Sequence, residues 1–386
     1  MTEGNAPPTP ATIEATAANV KAALQRASDG LIDRESLVEL IALAAVAREH
    51  LLVVGPPGTA KSEAVRRVSN TFGGQYFEYL LGRFTEPNEI FGPIDLRKLR
   101  DGIVHTETSG MLPEAEIAFL DEVFRGSTAI LNTLLGVLND RVFTRGHTRA
   151  DCPLRVCVGA SNELPEDETL AAFADRFLLR TFVEPVSDTM LEYLLAGGWS
   201  LSAVHAQVTS IEDLDTLAEA ARQCDLDGVR PQLAQAIRTL RHSGVQLSDR
   251  RSVKLQGLVA AAAVLAGRTA PSTKDLWPIV YAVPTAAEQR IAREVLRPLL
   301  DHSDNETLPA AAEDASQGPL ARAPRIATAA TALLDEEPDD EQRPLWLMKL
   351  EGIAREIDAT FDLEHLPESL VPIRERITKA LNTTVQ

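Results

Sequence analysis

A short stretch early in the chain has the residue types and spacing to bind phosphate. Residues 51–54 are apolar and partly β-branched, and a turn rich in glycine and proline separates them from Lys61 and Ser62. An amphipathic segment over residues 63–72 follows, which gives the strand, loop and helix order of a phosphate-binding loop. Backbone N–H groups of such a loop can hold phosphate oxygens at a helix N-terminus. The predicted nucleotide-binding residues are Gly55, Pro56, Pro57, Gly58, Thr59, Ala60, Lys61, Ser62 and Glu63.

The loop has one departure from the general pattern for ATP-binding loops. Lys61 is expected to reach the β- and γ-phosphates, and Ser62 is expected to hold Mg²⁺. Ala60, however, stands directly before the lysine, where the general pattern has glycine. Because the loop by itself could be an ordinary turn, the prediction of an ATP site depends on residues elsewhere in the chain.

Polar residues that could act on ATP follow two other predicted strands. Residues 117–120 are apolar and end at Asp121 and Glu122, and the strand predicted over 155–160 is closed by Ser161 and Asn162. Open α/β sheets bind ligands at the carboxyl ends of their strands. We expect Asp121 to position Mg²⁺ through its water shell, and Glu122 to orient and deprotonate the attacking water. Asn162 is expected to hydrogen-bond the same water or the γ-phosphate.

Each of these residues has a simpler interpretation when it is taken alone. An Asp-Glu pair after a strand can be a helix N-cap, and an asparagine at that place is often a turn residue. The order and spacing of all of them together favour an ATP site with ATP or ADP and Mg²⁺ as its ligands.

Composition and charge exclude several classes of function. The chain of 386 residues has a formal net charge of −18, a pI near 4.9 and no run of five basic residues, so we expect no nucleic-acid partner. Its three cysteines are interpreted as small core residues of a protein from a reducing compartment. The N-terminus lacks the pattern of a signal peptide, and the longest apolar run is half the length of a membrane span. We therefore predict a soluble, cytoplasmic protein without direct membrane insertion.

The order of predicted elements indicates an α/β protein with a helical second half. Strands alternate with helices up to residue 186, which favours a parallel sheet with helices on both faces. Helices alone follow, and residues 301–341 are rich in acids. The predicted divisions are a disordered tail at 1–11, an α/β nucleotide-binding domain at 12–186, an all-α lid at 187–300, an acidic linker at 301–320 and a C-terminal helical module at 321–386.

The chain resembles MoxR-type AAA+ ATPases, and their RavA branch most closely. The resemblance covers roughly residues 30–300, and Ala60 agrees with this branch. RavA proteins also carry a β-rich domain, for which the last 86 residues have no counterpart, so the RavA partner enzyme is not expected here. The motifs that carry the resemblance lie at residues 55–62, 91–93, 108–116, 119–122, 130–135, 160–165 and 175–177.

The resemblance implies a homo-oligomeric ring, usually a hexamer, with ATP between neighbouring subunits. Arg176 would then be the arginine finger that reaches the next subunit's γ-phosphate, with Arg180 as the alternative. Arg250 would be the second sensor arginine, with Arg251 as the alternative. Residues 94–105 match the family's helix-2 insert and residues 141–154 its hairpin, and both would face the pore or the client.

The function implied by the resemblance is an ATP-driven, chaperone-like remodeller of protein clients that works with a von Willebrand A-domain partner. Three alternatives stay open. ATP could fix the shape of a nucleotide-gated scaffold, the chain could be a rubisco-activase-like or gas-vesicle-type member of the same clade, or it could be a nucleic-acid motor, which its charge disfavours.

Overall fold

The computed structural model of the chain describes residues 8–200, 207–318, 323–335, 343–361 and 366–382. The first helix begins at Pro10, and most of the tail that we predicted over residues 1–11 lies outside the described residues. Among the described helices, none is both long enough and apolar enough to cross a membrane.

A five-stranded parallel sheet forms the centre of the first half of the chain. Seven strands occur in chain order: β1 (Leu51–Val54), β2 (Tyr76–Leu80), β3 (Ile117–Asp121), β4 (Val142–Arg145), β5 (Thr148–Asp151), β6 (Val156–Ser161) and β7 (Leu179–Phe182). The sheet has the order β2-β3-β6-β1-β7, and β4 and β5 form a separate antiparallel hairpin. All of β1 and β6 is buried, as expected where helices cover both faces of a parallel sheet. The predicted α/β architecture is confirmed.

Helices account for most of the remaining described residues. In chain order they are α1 (Pro10–Ser28), α2 (Glu35–Ala47), α3 (Lys61–Phe72), α4 (Pro87–Phe91), α5 (Leu96–Arg100), α6 (Thr128–Asp140), α7 (Glu168–Ala174), α8 (Leu191–Ser200), α9 (Ile211–Arg222), α10 (Arg230–His242), α11 (Asp249–Leu265), α12 (Ala286–Val295), α13 (Arg297–Leu300), α14 (Pro309–Gln317), α15 (Ala323–Leu334), α16 (Arg343–Thr360) and α17 (Val371–Asn382). No described residue after β7 lies in a strand.

The helices that follow the sheet pack back onto the first helices of the chain. Helix α2 is buried along most of its length and contacts β1 and β6 as well as α9, α11 and α14. The buried stretch of α11 contains consecutive alanines over residues 260–263, and small side chains allow neighbouring helices to approach closely. One continuous hydrophobic core therefore joins α9 and α11 to the sheet and to the helices that precede it.

The insert and the hairpin named by the resemblance lie side by side. The insert contains α5, and Ile94 also pairs antiparallel with Thr106. His147 in the hairpin turn donates its backbone N–H to Val104 O at 2.8 Å. The short helix α4 lies just before the insert.

Residues 301–318 differ from the linker that we predicted. Asn305 and Leu308 are buried, and the side-chain amide of Asn305 donates to Ala262 O in α11 at 2.9 Å. Helix α14 follows and packs its alanines against α2. The acids of this segment raise its average polarity, which is why we predicted a linker. The segment also contains alanines at helical spacing, and the burial of these alanines stabilises the helix.

Glu39 on α2 connects that helix to the start of α14 inside the core. The residue is 7% exposed, and its carboxyl group accepts the backbone N–H groups of Ala310 and Ala311, at 3.3 and 2.7 Å. Burial raises the pKa of Glu39 to about 8, and the nearby charge of Glu35 acts in the same direction. Glu39 is thus mostly protonated in the folded protein at neutral pH.

The effect of replacing Glu39 on the free energy of unfolding should depend on pH. Because the folded pKa is above the unfolded value, the contribution of Glu39 is fully present below pH 4.5 and is lost as the pH rises through about 8. Glu39→Gln cannot ionise, so we expect it to raise the unfolding free energy at pH 8.5 by on the order of 2 kcal/mol relative to the wild type. Denaturant unfolding at pH 5.5 and 8.5 measures this difference, with the exposed Glu313→Gln on α14 as the control. An equal effect of Glu39→Gln at both pH values would contradict it.

The last three helices form a module with a core of its own. Ile326, Leu350 and Ile377 are fully buried within it, and Trp346 donates its indole N–H to Leu333 O at 2.7 Å. The module rests on the segment that follows β7, where a Cβ at position 352 would lie 2.8 Å from Asp188 Oδ2. Glycine at position 352 therefore permits this close contact between α16 and the segment before α8.

Candidate nucleotide site

The predicted phosphate loop connects the carboxyl end of β1 to the start of α3. Gly55 donates its backbone N–H to Ser161 O, at the end of β6, at 3.0 Å. A Cβ at position 55 would lie 2.1 Å from Val183 O, so only glycine fits between the loop and the segment after β7. Ala60, the N-cap of α3, offers no side-chain cap. The first N–H groups of α3 are therefore available to an anion.

Ala60 adopts the backbone conformation that favours glycine. Its φ is +58°, and that of Gly58 is +81°. For a residue with a Cβ the left-handed region costs about 1 kcal/mol. The loop therefore has the backbone geometry of a glycine at position 60 and holds an alanine there at a modest cost.

Lys61 is folded back onto the loop. Its ammonium group donates to Gly55 O at 2.9 Å and to Pro56 O at 2.7 Å, and the side chain is 7% exposed. Burial lowers the pKa of Lys61, while the negative charges of Asp121 and Glu122 act to raise it. The lysine and the two carboxylates thus lie close enough for their charges to interact.

Glu122 and Asn162 come together at the ends of two adjacent strands. Asn162 Nδ2 donates to Glu122 Oε1 at 2.9 Å, and Arg125 Nε lies 3.1 Å from Glu122 Oε2. The contact arises because β3 and β6 are parallel neighbours whose carboxyl ends lie at one edge. Glu122 has a φ of +50°, an uncommon conformation for glutamate and one that tends to occur at functional sites. Asp121 Oδ1 accepts the N–H of Glu122 at 2.9 Å.

Oxygen atoms suited to Mg²⁺ lie near the loop. Ser62 stands in the first turn of α3 and Asp121 at the end of β3, and hydroxyl and carboxylate oxygens are ligands that Mg²⁺ accepts in nucleotide sites. Within the described ranges no three His, Cys, Asp or Glu side chains form a metal-binding group. This donor set fits an ion held by few protein atoms together with water and substrate phosphates.

Glu63 is the predicted binding residue whose side chain the structure places elsewhere. Its carboxylate oxygens accept hydrogen bonds from Arg67 Nε at 2.8 Å and from Arg66 at 2.9 Å. Its side chain thus belongs to an ion-pair network along α3, and its backbone N–H is the group that the first helical turn can offer to a phosphate.

Arg176 and Arg250 lie together at the opposite edge of the sheet. Arg176 precedes β7, whose first residue pairs with Leu51, whereas the phosphate loop follows the far end of β1. Four strand residues span about 13 Å, so Arg176 lies far from its own chain's loop. The charge of Arg250 lowers the pKa of Arg176, after the larger effect of burial. Arg176 Nε has no hydrogen-bond partner among the described residues.

The two alternative arginines are occupied by structural contacts. Arg180 is 6% exposed and donates to Pro284 O at 2.9 Å and to Ala174 O at 3.0 Å. Arg251 is 1% exposed and pairs with Asp175 at 2.6 Å while it also donates to backbone carbonyls, those of Phe177, Leu178 and Ala282. Arg250 is only partly buried and donates to Asn139 Oδ1 at 2.7 Å. Burial therefore favours Arg176 and Arg250 as the arginines that could meet a ligand or another chain.

Sequence reasoning missed Arg34, which touches the phosphate loop. Arg34 Nε donates to Thr59 O at 2.8 Å. A cavity of about 340 Å³ lies beside it, between the start of α2, the end of β7 and α14. No local pattern marks this arginine, because its partners lie far from it in the sequence.

The sheet order, the loop after β1 and the carboxylates after β3 define a P-loop domain of the AAA+ ATPase class. Residues 18–219, more than half of the chain, match the family described as the MoxR domain in the MoxR–vWA–β-propeller ternary systems. The chain belongs to this MoxR family.

Several known proteins are similar to this chain in sequence or in fold. An uncharacterised protein of Methanocaldococcus jannaschii is 36% identical over 249 residues, which are 64% of this chain and 66% of that relative. The chain thus spans just under two thirds of this relative's length. Chaperone MoxR1 of Mycobacterium tuberculosis is 26% identical over 154 residues, which are 39% of this chain and 40% of that protein. A solved structure from Cytophaga hutchinsonii, provisionally described as an ATPase, shares the fold, with a TM-score of 0.60 and 13% identity over 75% of this chain and 96% of that one.

Proposed function

We propose that this chain hydrolyses ATP as a subunit of a MoxR ring and uses the energy to remodel a protein client. The observation that carries the proposal is the contact between Glu122 and Asn162 beside a loop whose lysine interacts with the same carboxylate. A base for water, an amide that can orient that water and a cation for the phosphates thereby meet at one edge of the sheet.

Each residue at this edge has a role that its position supports. The N–H groups of the loop and the start of α3 bind the phosphates, and Lys61 exchanges its loop carbonyls for phosphate oxygens. Ser62 and Asp121 would hold Mg²⁺, which supplies charge neutralisation at the transferred phosphoryl group when it is bound. Glu122 accepts the proton of the attacking water, and Asn162 fixes the direction of that carboxylate.

The positive charge opposite the transferred group is proposed to come from another subunit. Arg176 lies at the edge away from its own loop, so it can reach a nucleotide only in a second copy of the chain. Arg250 lies beside it and would act at the same interface as the second sensor. A ring, as the resemblance implies, places this edge of one subunit against the loop of the next.

The partner is proposed from the family description. That description names systems with a von Willebrand A-domain protein and a β-propeller protein, and we propose that this chain works with both kinds of partner on a protein client. The hexameric state and the closeness to the RavA branch remain predictions from the sequence.

Lys61→Ala tests the nucleotide site directly. Removal of the ammonium group takes away the charge that faces the β- and γ-phosphates, so we expect ATP binding to fall below detection and hydrolysis to stop. Calorimetric titration with ATP and a phosphate-release assay measure the two effects. The surface variant Lys274→Ala, whose ion pair with Asp304 lies in a solvent-exposed region, is the matched control and should retain both. Full ATP binding by Lys61→Ala would contradict the proposed site.

A further inference from the structure

Arg34, the residue directly before α2, holds the phosphate loop from outside. Its side chain is 5% exposed. The guanidinium group donates from Nε to Thr59 O in the loop at 2.8 Å, and from another nitrogen to Glu184 O, just after β7, at 2.7 Å. A third donor reaches Asp33 O at 2.6 Å. One rigid group thus fixes backbone carbonyls from three separate stretches of the chain.

The bond to Thr59 sets the direction of a neighbouring N–H group. Thr59 C=O and Ala60 N–H belong to the same peptide plane, and in a trans peptide these two groups point in opposite directions. Because Arg34 draws the carbonyl toward the start of α2, it directs the Ala60 N–H the other way. A carbonyl that rotated inward instead would present a partial negative charge to the phosphates.

The loop needs such a constraint at this place. Ala60 has a φ of +58°, which is unfavourable for a residue with a Cβ, and it has no side-chain cap. Strained backbone persists where surrounding contacts hold it. Arg34 supplies that contact from a residue that is itself buried and bonded on both sides.

We propose that Arg34 is a positioning residue that keeps the phosphate loop in its anion-binding conformation and ties it to the segment after β7. The inference rests on the proposed function, because it concerns the same nucleotide site. It assigns no direct contact with the base or the ribose to Arg34, although the residue also borders the adjacent cavity.

The test compares ATP with inorganic tripolyphosphate, which has neither base nor ribose. Both ligands are titrated in the presence of Mg²⁺ by displacement of a fluorescent ATP analogue. A hydrogen bond from a charged donor contributes enough that Arg34→Gln should weaken both ligands about 10- to 100-fold, and by the same factor. Arg34→Lys keeps the charge but not the fork of donors, so its affinity should fall between those of Arg34→Gln and the wild type.

A variant of a second buried arginine distinguishes an effect on loop position from a general loss of stability. Arg180→Gln removes an arginine of similar burial whose carbonyl partners, Pro284 and Ala174, lie outside the loop. It should lower the melting temperature about as much as Arg34→Gln and leave the dissociation constant for tripolyphosphate unchanged. Equal weakening by both variants would overturn the inference, since the effect would then be a loss of stability.

The remaining outcomes are equally informative. Weaker ATP binding with unchanged tripolyphosphate binding would make Arg34 a base or ribose contact and would overturn the positioning role. Unchanged affinity for both ligands in Arg34→Gln would overturn it as well. A wild-type chain that bound neither ligand would remove the proposed ATPase function, a result distinct from the failure of Arg34 alone.

Discussion

Glu122→Gln is expected to bind ATP with wild-type affinity and to hydrolyse it about 10²- to 10⁴-fold more slowly. Glutamine has nearly the same shape as glutamate, and its side-chain oxygen can still accept the 2.9 Å hydrogen bond from Asn162. It cannot take a proton from water at neutral pH, so the binding step survives and the chemical step is lost. Calorimetry with ATP and single-turnover hydrolysis distinguish the two steps.

Arg125→Gln is the matched control for this variant. Glu122→Gln also breaks the ion pair with Arg125, and Arg125→Gln breaks the same pair while it leaves the carboxylate in place. We expect Arg125→Gln to hydrolyse ATP within a few-fold of the wild-type rate, because the Arg125 side chain is mostly exposed and has no role in the proposed chemistry. Unchanged turnover in Glu122→Gln would remove the assignment of Glu122 as the base.

The variant Glu122→Gln also distinguishes a remodeller from a scaffold. A ring that holds ATP without turnover should retain its partners and fail to release a remodelled client. Capture of the von Willebrand A-domain protein by the Glu122→Gln chain in ATP, without recovery of client activity, would support remodelling. If ATP only fixed the shape of the ring, the Glu122→Gln chain would support client activity as fully as the wild type.

Arg176→Ala is expected to keep ATP affinity and to lose about 10³-fold or more of the turnover rate. The binding loop is unaffected because Arg176 lies at the opposite edge of the sheet. The rate falls because an arginine opposite the transferred phosphoryl group stabilises its charge in the transition state. Mixing inactive Arg176→Ala chains with inactive Lys61→Ala chains should restore part of the activity, since the second chain supplies Arg176 to the intact loop of the first.

A second mixture controls for this complementation. Lys61→Ala and Glu122→Gln both disable the site on their own chain, so no combination of these two chains contains a complete site. We expect no recovery there. Absence of recovery in the Arg176→Ala mixture as well, with rings formed in both, would contradict a role of Arg176 in another subunit.

The sequence by itself determined the elements whose signal is local. An apolar run, a glycine-rich turn and Lys61 are contiguous, and Asp121 directly ends a second apolar run, so the loop, the strands and the sheet class could be predicted. The long ordered motifs also led to the MoxR family, which the match over residues 18–219 confirms. The RavA branch and the roles of individual site residues remain predictions.

Only the tertiary structure decided features that depend on partners distant in sequence. Arg34 acquires its place because Thr59 and Glu184 meet it in the fold. Arg176 and Arg180 are alike in the sequence, and burial against carbonyls sets Arg180 apart. The acids of residues 301–318 led us to predict a linker where the structure has a helix, because the average polarity of a segment does not show which face of a helix is buried. Burial and long-range hydrogen bonding are properties of the folded chain, and no local pattern carries them.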